Sequence, residues 1–162
     1  MKFATILLPA TALLFSSLTW AASAVVDVSL SPAGSFKGKT IDIKGFASKK
    51  GDEVSAQNIV VNLKSLKTGI ELRDKHTQKH LETDKFPEAV LLSAKGKDGK
   101  GVGKIRIRGI EKDISGTYKI NGHELNAEFK LNLADFKITN VKYMGAGVED
   151  EVVLHVVVPV KP

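Results

Sequence analysis

The chain has 162 residues, a formal net charge of +6 and no cysteine. The lack of cysteine excludes a disulfide framework and a lipid-modified cysteine anchor. The basic excess is spread in Lys-Lys and Lys-Gly pieces with few aromatics between them, which speaks against a nucleic-acid footprint and for a solvated surface that tolerates anionic lipid.

The N-terminus reads as an address. Lys2 supplies a short positive region, Ile6 to Leu18 an apolar core, and Ala22-Ser23-Ala24 the small residues that a signal peptidase reads. This predicts a secretory signal peptide over residues 1–24, cleaved between Ala24 and Val25, with residues 25–162 forming one domain in a periplasm. A membrane anchor fits less well, because the apolar run is short and broken by Pro9, Ser16 and Ser17.

From there the pattern is that of short strands. Val26, Val28 and Leu30 share one side of a first strand, ended by Pro32-Ala33-Gly34. Ile41 and Ile43 alternate with Asp42 and Lys44 in a second, and Ile59, Val61 and Leu63 form one face of a third. After a charged segment, Val90, Leu92 and Ala94 line one face of a fourth. Asp98-Gly99, inside the glycine-rich stretch Lys95 to Gly103, suits a tight hairpin. Ile105, Ile107 and Ile110 then alternate with Lys104, Arg106 and Arg108, and Ile114, Tyr118 and Ile120 continue the pattern to the hairpin dipeptide Asn121-Gly122. Leu125, Ala127, Phe129, Leu131 and Leu133 make the longest alternating row. Val152 to Val158 is apolar on both faces apart from His155. Seven or eight strands joined by short turns, without βαβ spacing, predict an all-β antiparallel sandwich or closed barrel. Periodicity is consistent with both, and closure favours the barrel because it removes exposed edges. The charged outer faces and the lack of aromatic girdles exclude an outer-membrane barrel.

The segment from Thr68 to Pro87 breaks the alternation. The spacing predicts a short helix from Glu71 to Thr83, with Leu72, His76 and His80 on one face, Leu81 beside them, and Glu71 paired with Lys75. Phe86-Pro87 is expected to stop it and lead back to a strand. A helix so short and weakly amphipathic needs a scaffold beneath it. His76 is expected to cap a pocket and His80 to be solvated. His76 and His80 are spaced for a metal, but position 77 is threonine and neither His123 nor His155 can be placed as a third ligand, so no metal and no cofactor are expected. Arg73-Asp74 is readable either as a local salt bridge or as part of a site, with Lys75 and His76, for an anionic head group. No Ser-His-Asp order, cysteine nucleophile or placed carboxylate pair points to catalysis, and the glycines from Gly96 to Gly103 precede no helix that would make a phosphate site.

Several short motifs in order carry a resemblance. They are Gly34-Ser35-Phe36, the stretch Leu63-Lys64-Ser65-Leu66-Lys67-Thr68-Gly69, Arg73-Asp74 with His76, Leu81, Phe86-Pro87, Gly109-Ile110-Glu111-Lys112, Ala134-Asp135-Phe136 and Tyr143-Met144-Gly145. From Asp27 to Pro159 the chain resembles the bacterial YceI-like proteins, periplasmic lipocalin-like domains associated with polyisoprenoid binding. It departs from longer relatives at the start, where only Val25 to Leu30 precedes the Gly-x-Phe turn. The resemblance implies an antiparallel, lipocalin-like extended β-barrel with a helical segment near its mouth. It also implies a narrow apolar tunnel for a polyisoprenoid or other long-chain lipid, with no catalysis. The expected lining or mouth residues are Arg73, His76, Leu81, Phe86, Ile105, Ile107, Leu125, Phe129, Leu131 and Leu133. Transient contact with a membrane surface is a further expectation, and nucleic acid is not. The competing reading is a periplasmic protein-interaction or stress-response module whose barrel is filled by its own side chains.

Overall fold

The computed structural model describes residues 21–162, so most of the expected signal peptide lies outside the described residues. The elements in order are β1 (Ser23–Ser31), β2 (Ser35–Thr40), β3 (Ile43–Lys44), β4 (Ala47–Lys50), β5 (Glu53–Asn62), α1 (Glu71–Leu81), β6 (Glu88–Lys97), β7 (Lys100–Ile107), β8 (Ile110–Asn121), β9 (Glu124–Asn132), β10 (Lys142–Tyr143) and β11 (Ala146–Lys161). Seven of these strands close into a barrel, in the order β4, β5, β6, β7, β8, β9, β11 and back to β4. This is the lipocalin-like architecture that the sequence led us to expect.

Closure depends on the length of β11. One edge pairs with β9 from Glu151↔Asn132 to Pro159↔Glu124. Along its other edge β1 is paired as far as Ser23↔Val157, and only the end of β11 reaches β4, through Val160↔Ala47 and Lys161↔Ser48. That seam is parallel, whereas every other pairing is antiparallel. No hairpin imposes a direction there, because the two strands lie at opposite ends of the domain. β2 lies outside β1 and meets the segment before the helix through Lys39 and Lys67.

Alternation places one row of each strand inside. The interior divides into two apolar clusters. Val28, Leu63, Ile105, Ile107, Leu131 and Phe136 mark the end nearer α1. Ala47, Val54, Ile59, Leu125 and Val158 mark the distal end.

The strand phases differ from expectation where the pleat is interrupted. In β6, Ala89 and Leu91 face the interior, not Val90 and Leu92. A bulge between Leu91 and Ser93 resets the phase, so Ala94 points inward as expected. β5 changes phase opposite it at Asn58, which has a positive φ of 51°. Ile41 is not part of a strand. It is 82% exposed, and the chain turns there because Asp42 accepts from the Asn62 amide while its own N–H donates to Thr40 Oγ1. The polar segment Ser35–Thr40 forms the strand instead. The stretch from Lys104 to Ile120 is two strands, since Arg108 and Gly109, both at positive φ, make a two-residue turn between Ile107 and Ile110. Both flanking isoleucines belong to the helix-end cluster, so the turn shifts the alternation by one residue, from Ile105 and Ile107 to Ile110 and Ile114. At the end of the β9 row, Leu133 belongs to a 3-10 turn, Leu133–Phe136, begun by the Asn132 side chain accepting from the Ala134 N–H.

Helix α1 ends earlier than Thr83, well before Pro87. Glu82 takes a left-handed conformation, its N–H reaching Lys79 O and that of Thr83 reaching Gln78 O. This Schellman arrangement satisfies the last carbonyls, and Arg108 holds the Glu82 carboxylate at 3.0 Å.

Candidate functional site

The barrel encloses an apolar cavity of about 230 Å³. A second chamber of about 110 Å³ lies beneath α1, between the helix, β1–β2 and the chain leading into β11. Val26, Leu66, Leu81, Leu133, Ile138 and Val152 border both, so the two spaces abut at a shared collar. For scale, an apolar void of about 150 Å³ stays dry and admits benzene.

The expected site residues separate between these spaces. Ile105, Ile107, Leu125, Phe129 and Leu131 line the barrel cavity, and Leu81 and Leu133 lie on the collar. Arg73 and His76 border only the chamber under the helix. Phe86 borders neither cavity. Its ring covers the β7–β8 turn, where a Cβ on Gly109 would lie 3.3 Å from it. The signal at Phe86-Pro87 is therefore one of chain reversal.

The helix turns its histidine face to the chamber, with His76, His80 and Leu81 together on the lining as their spacing predicts, but rotated so that Leu72 is excluded. Arg73, Thr77, His80 and Leu81 point to the chamber and Asp74 is buried, while Leu72 is 54% exposed. Hydrophobicity could not select this face, because the residues that hold it are charged. Asp74 accepts hydrogen bonds from the Thr68 N–H (2.7 Å) and the Thr68 hydroxyl (2.6 Å), and Lys67 lies at 3.7 Å. Burial alone would raise the Asp74 pKa, but the Thr68 bonds and Lys67 outweigh it and hold the carboxyl below its ordinary value. Arg73 donates from Nη2 to the Thr68 carbonyl at 2.7 Å. The two residues hold Thr68 by its N–H and its carbonyl, in the two peptide units that flank its Cα, rather than pairing with each other.

The Arg73 guanidinium also lies 4.4 Å from the Phe36 ring centroid and 5.5 Å from that of Tyr143. His76 meets Tyr143 edge-on at 6.2 Å. The mouth is thus a cation between two aromatic rings, with the Arg73 Nε buried and unpartnered among the described residues. Phe36 and Tyr143 are site residues that the strand pattern did not reveal, although both fall in the motifs that carried the family resemblance. His80 is part-buried rather than solvated. Burial lowers its pKa first, followed by the charges of His76, Lys79 and Arg108, so its neutral form is favoured. His155 is remote from these histidines. It lies on the outer wall between Asp27 (3.2 Å) and Glu128 (3.4 Å), and His123 is in the β8–β9 turn.

A closed barrel with an apolar interior and a polar mouth beneath one helix places the protein in the lipocalin-like class. The chain belongs to the YceI-like domain family, whose model matches residues 15–160. Among solved structures, Burkholderia cenocepacia BcnA is similar with a TM-score of 0.66 at 16% identity, covering 83% of this chain and 94% of that one. A polyisoprenoid binding domain from Saccharophagus degradans implicated in plant cell wall breakdown is similar with a TM-score of 0.56 at 12% identity, covering 84% and 91%. No curated protein matches the sequence.

Proposed function

We propose that the protein binds one long-chain isoprenoid, or a similar amphiphilic lipid, inside its barrel and carries it through the periplasm without chemically changing it. The observation that carries this reading is the apolar barrel cavity, with the chamber under α1 abutting it at a shared collar. A packed domain interior leaves few voids larger than a water molecule, so a space of this size is a binding volume rather than a packing fault. Each methylene moved into it contributes roughly 0.8 kcal/mol before ordering costs. The polar end of an amphiphile would meet Arg73, His76 and Tyr143. The Saccharophagus domain, similar in fold, is described as polyisoprenoid-binding, which supports the same ligand class here.

Loading requires approach to a lipid surface, and the rim suits it. Ile70, Leu72 and Met144 are exposed next to Lys75 and Lys142, a combination that favours transient contact with an anionic bilayer.

Native mass spectrometry of protein purified from its own host tests the carrier reading. Bound mass that organic extraction removes is the expected result. A bare protein that takes up no prenol would overturn the reading in favour of an interaction module.

A further inference from the structure

Away from α1, the barrel cavity meets the ring of Tyr118, the aromatic residue packed on the distal cluster. Gly96 pairs with Gly101, and Gly101 with Gly116, so three adjacent strands present no side chain at one level of the wall. Tyr118, two residues further along β8, lies over this bare backbone. A Cβ on Gly96 would stand 2.5 Å from its Cε1 and one on Gly101 3.8 Å from its Cδ1. The ring is positioned from the main chain, since the Tyr118 N–H donates to Gly99 O at 2.9 Å in the hairpin turn. It lines the cavity and packs on the distal cluster that includes Val54, Leu125 and Val158.

We propose that Tyr118 is the stop that sets how long a chain the barrel accommodates. This rests on the carrier reading. A chain entering from the helix end passes Leu131 and then Phe129, and reaches the ring at the level of Ala127, the residue opposite Tyr118. Beneath the ring are Gly96 and Gly101 and opposite it is Ala127, so the wall under and across from the ring offers little side chain to refill the space if the ring is removed. Truncation therefore deepens the cavity. A methyl group on Gly96 does the opposite, because its Cβ and the ring cannot share that position and the ring must move. The hydroxyl makes no hydrogen bond among the described residues, so the stop depends on the ring rather than on its polar tip.

The test is a displacement titration with a graded series of linear prenols against wild type, Tyr118→Ala, Tyr118→Phe and Gly96→Ala, with circular dichroism and binding of a short prenol as the check on folding. Tyr118→Ala is expected to move the length cut-off out by about one isoprene unit and to bind the newly admitted prenol at least about tenfold tighter, what remains of burying up to about five more carbons at roughly 0.8 kcal/mol each once ordering costs are met. Gly96→Ala is expected to shorten the cut-off, and Tyr118→Phe to match wild type. An unmoved cut-off in folded Tyr118→Ala, or in Gly96→Ala should the first variant not fold, overturns the stop while leaving the carrier reading intact. If wild type binds no prenol of any length, both fall together.

Discussion

Asp74 and Thr68 are joined by two short hydrogen bonds, one to the backbone N–H and one to the hydroxyl, across the loop that leads into α1. Ile70, at the N-cap, makes no side-chain cap of its own. The Asp74 carboxylate is thus the anchor that fixes the start of the helix to the barrel.

Replacing Asp74 with alanine leaves the Thr68 N–H without its acceptor in a buried position. The expected cost is about 2–3 kcal/mol in urea melts, since hydrogen bonds to a charged group are worth about 1.5–3 kcal/mol. The pH dependence follows from the lowered pKa. The group contributes stability above the unfolded carboxylate value of 3.8 and loses that contribution as pH falls through the lower folded value. Wild type should therefore show an acid limb that Asp74→Ala shows in reduced form. An identical acid limb in the two proteins would mean that other carboxylates set it.

Phe129 and Phe136 both border the barrel cavity and differ in burial. Phe136 is 1% exposed within the helix-end cluster, whereas Phe129 is only part-buried against it. Phe136→Ala is expected to cost about 3–5 kcal/mol, and Phe129→Ala less, because its ring has fewer partners to lose. Prenol affinity should change in Phe129→Ala, and Lys130→Ala, on the outer face beside Glu151 at 2.8 Å, should leave stability and affinity nearly unchanged. Equal losses in the two phenylalanine variants, measured by urea denaturation, would argue for a filled barrel.

The rim predicts a charge-selective membrane interaction. Met144 is 85% exposed at the tip of the β10–β11 turn, next to Tyr143, which packs on His76 one helical turn beyond Leu72. In vesicle flotation, wild type should associate with phosphatidylglycerol-containing vesicles at low salt and release as salt rises. The double variant Leu72→Glu with Met144→Glu should bind at least several-fold less. Association that is indifferent to vesicle charge would count against the lysines' part in it.

The processed N-terminus should be Val25, as N-terminal sequencing of periplasmic protein would show. The β1 ladder also includes Ser23 and Ala24, paired with Val157 and Val156, so cleavage at that point shortens β1 by two residues and leaves Val26 and Val28 in place. Retention of Met1, or recovery as an integral membrane protein, would contradict the expected address.

Much of the barrel was legible in one dimension. The row from Leu125 to Leu131 faces inward as its alternation requires, because β9 has no interruption and a pleat turns each successive side chain to the opposite face. The Asp98-Gly99 hairpin was readable because few residues besides glycine, asparagine and aspartate tolerate positive φ, and both residues adopt it. At Asn121-Gly122 the hairpin is there but one residue on, since Asn121 pairs with Glu124 and the turn is Gly122-His123, with only the glycine at positive φ. The existence of α1 was readable as well, since its charged run could not alternate.

Only the tertiary structure decided what interrupts those periods. A bulge at Leu92 reverses which residues face the interior, and no local residue type announces it. The helix turned Arg73 and His80 inward, and exposed Leu72, because Thr68, Phe36 and Tyr143 supply partners from distant segments, and polar contacts of that kind leave no hydrophobic period to read. The glycines from Gly96 to Gly103 look like a loop in sequence, yet apart from the turn at Gly99 they form barrel wall. Their role emerges only when Tyr118, on the next but one strand, closes over them. Local chemistry thus determined which segments are strand, turn or helix. Which side of each meets the cavity, and how deep that cavity runs, was settled by side chains far apart in the chain competing for the same space.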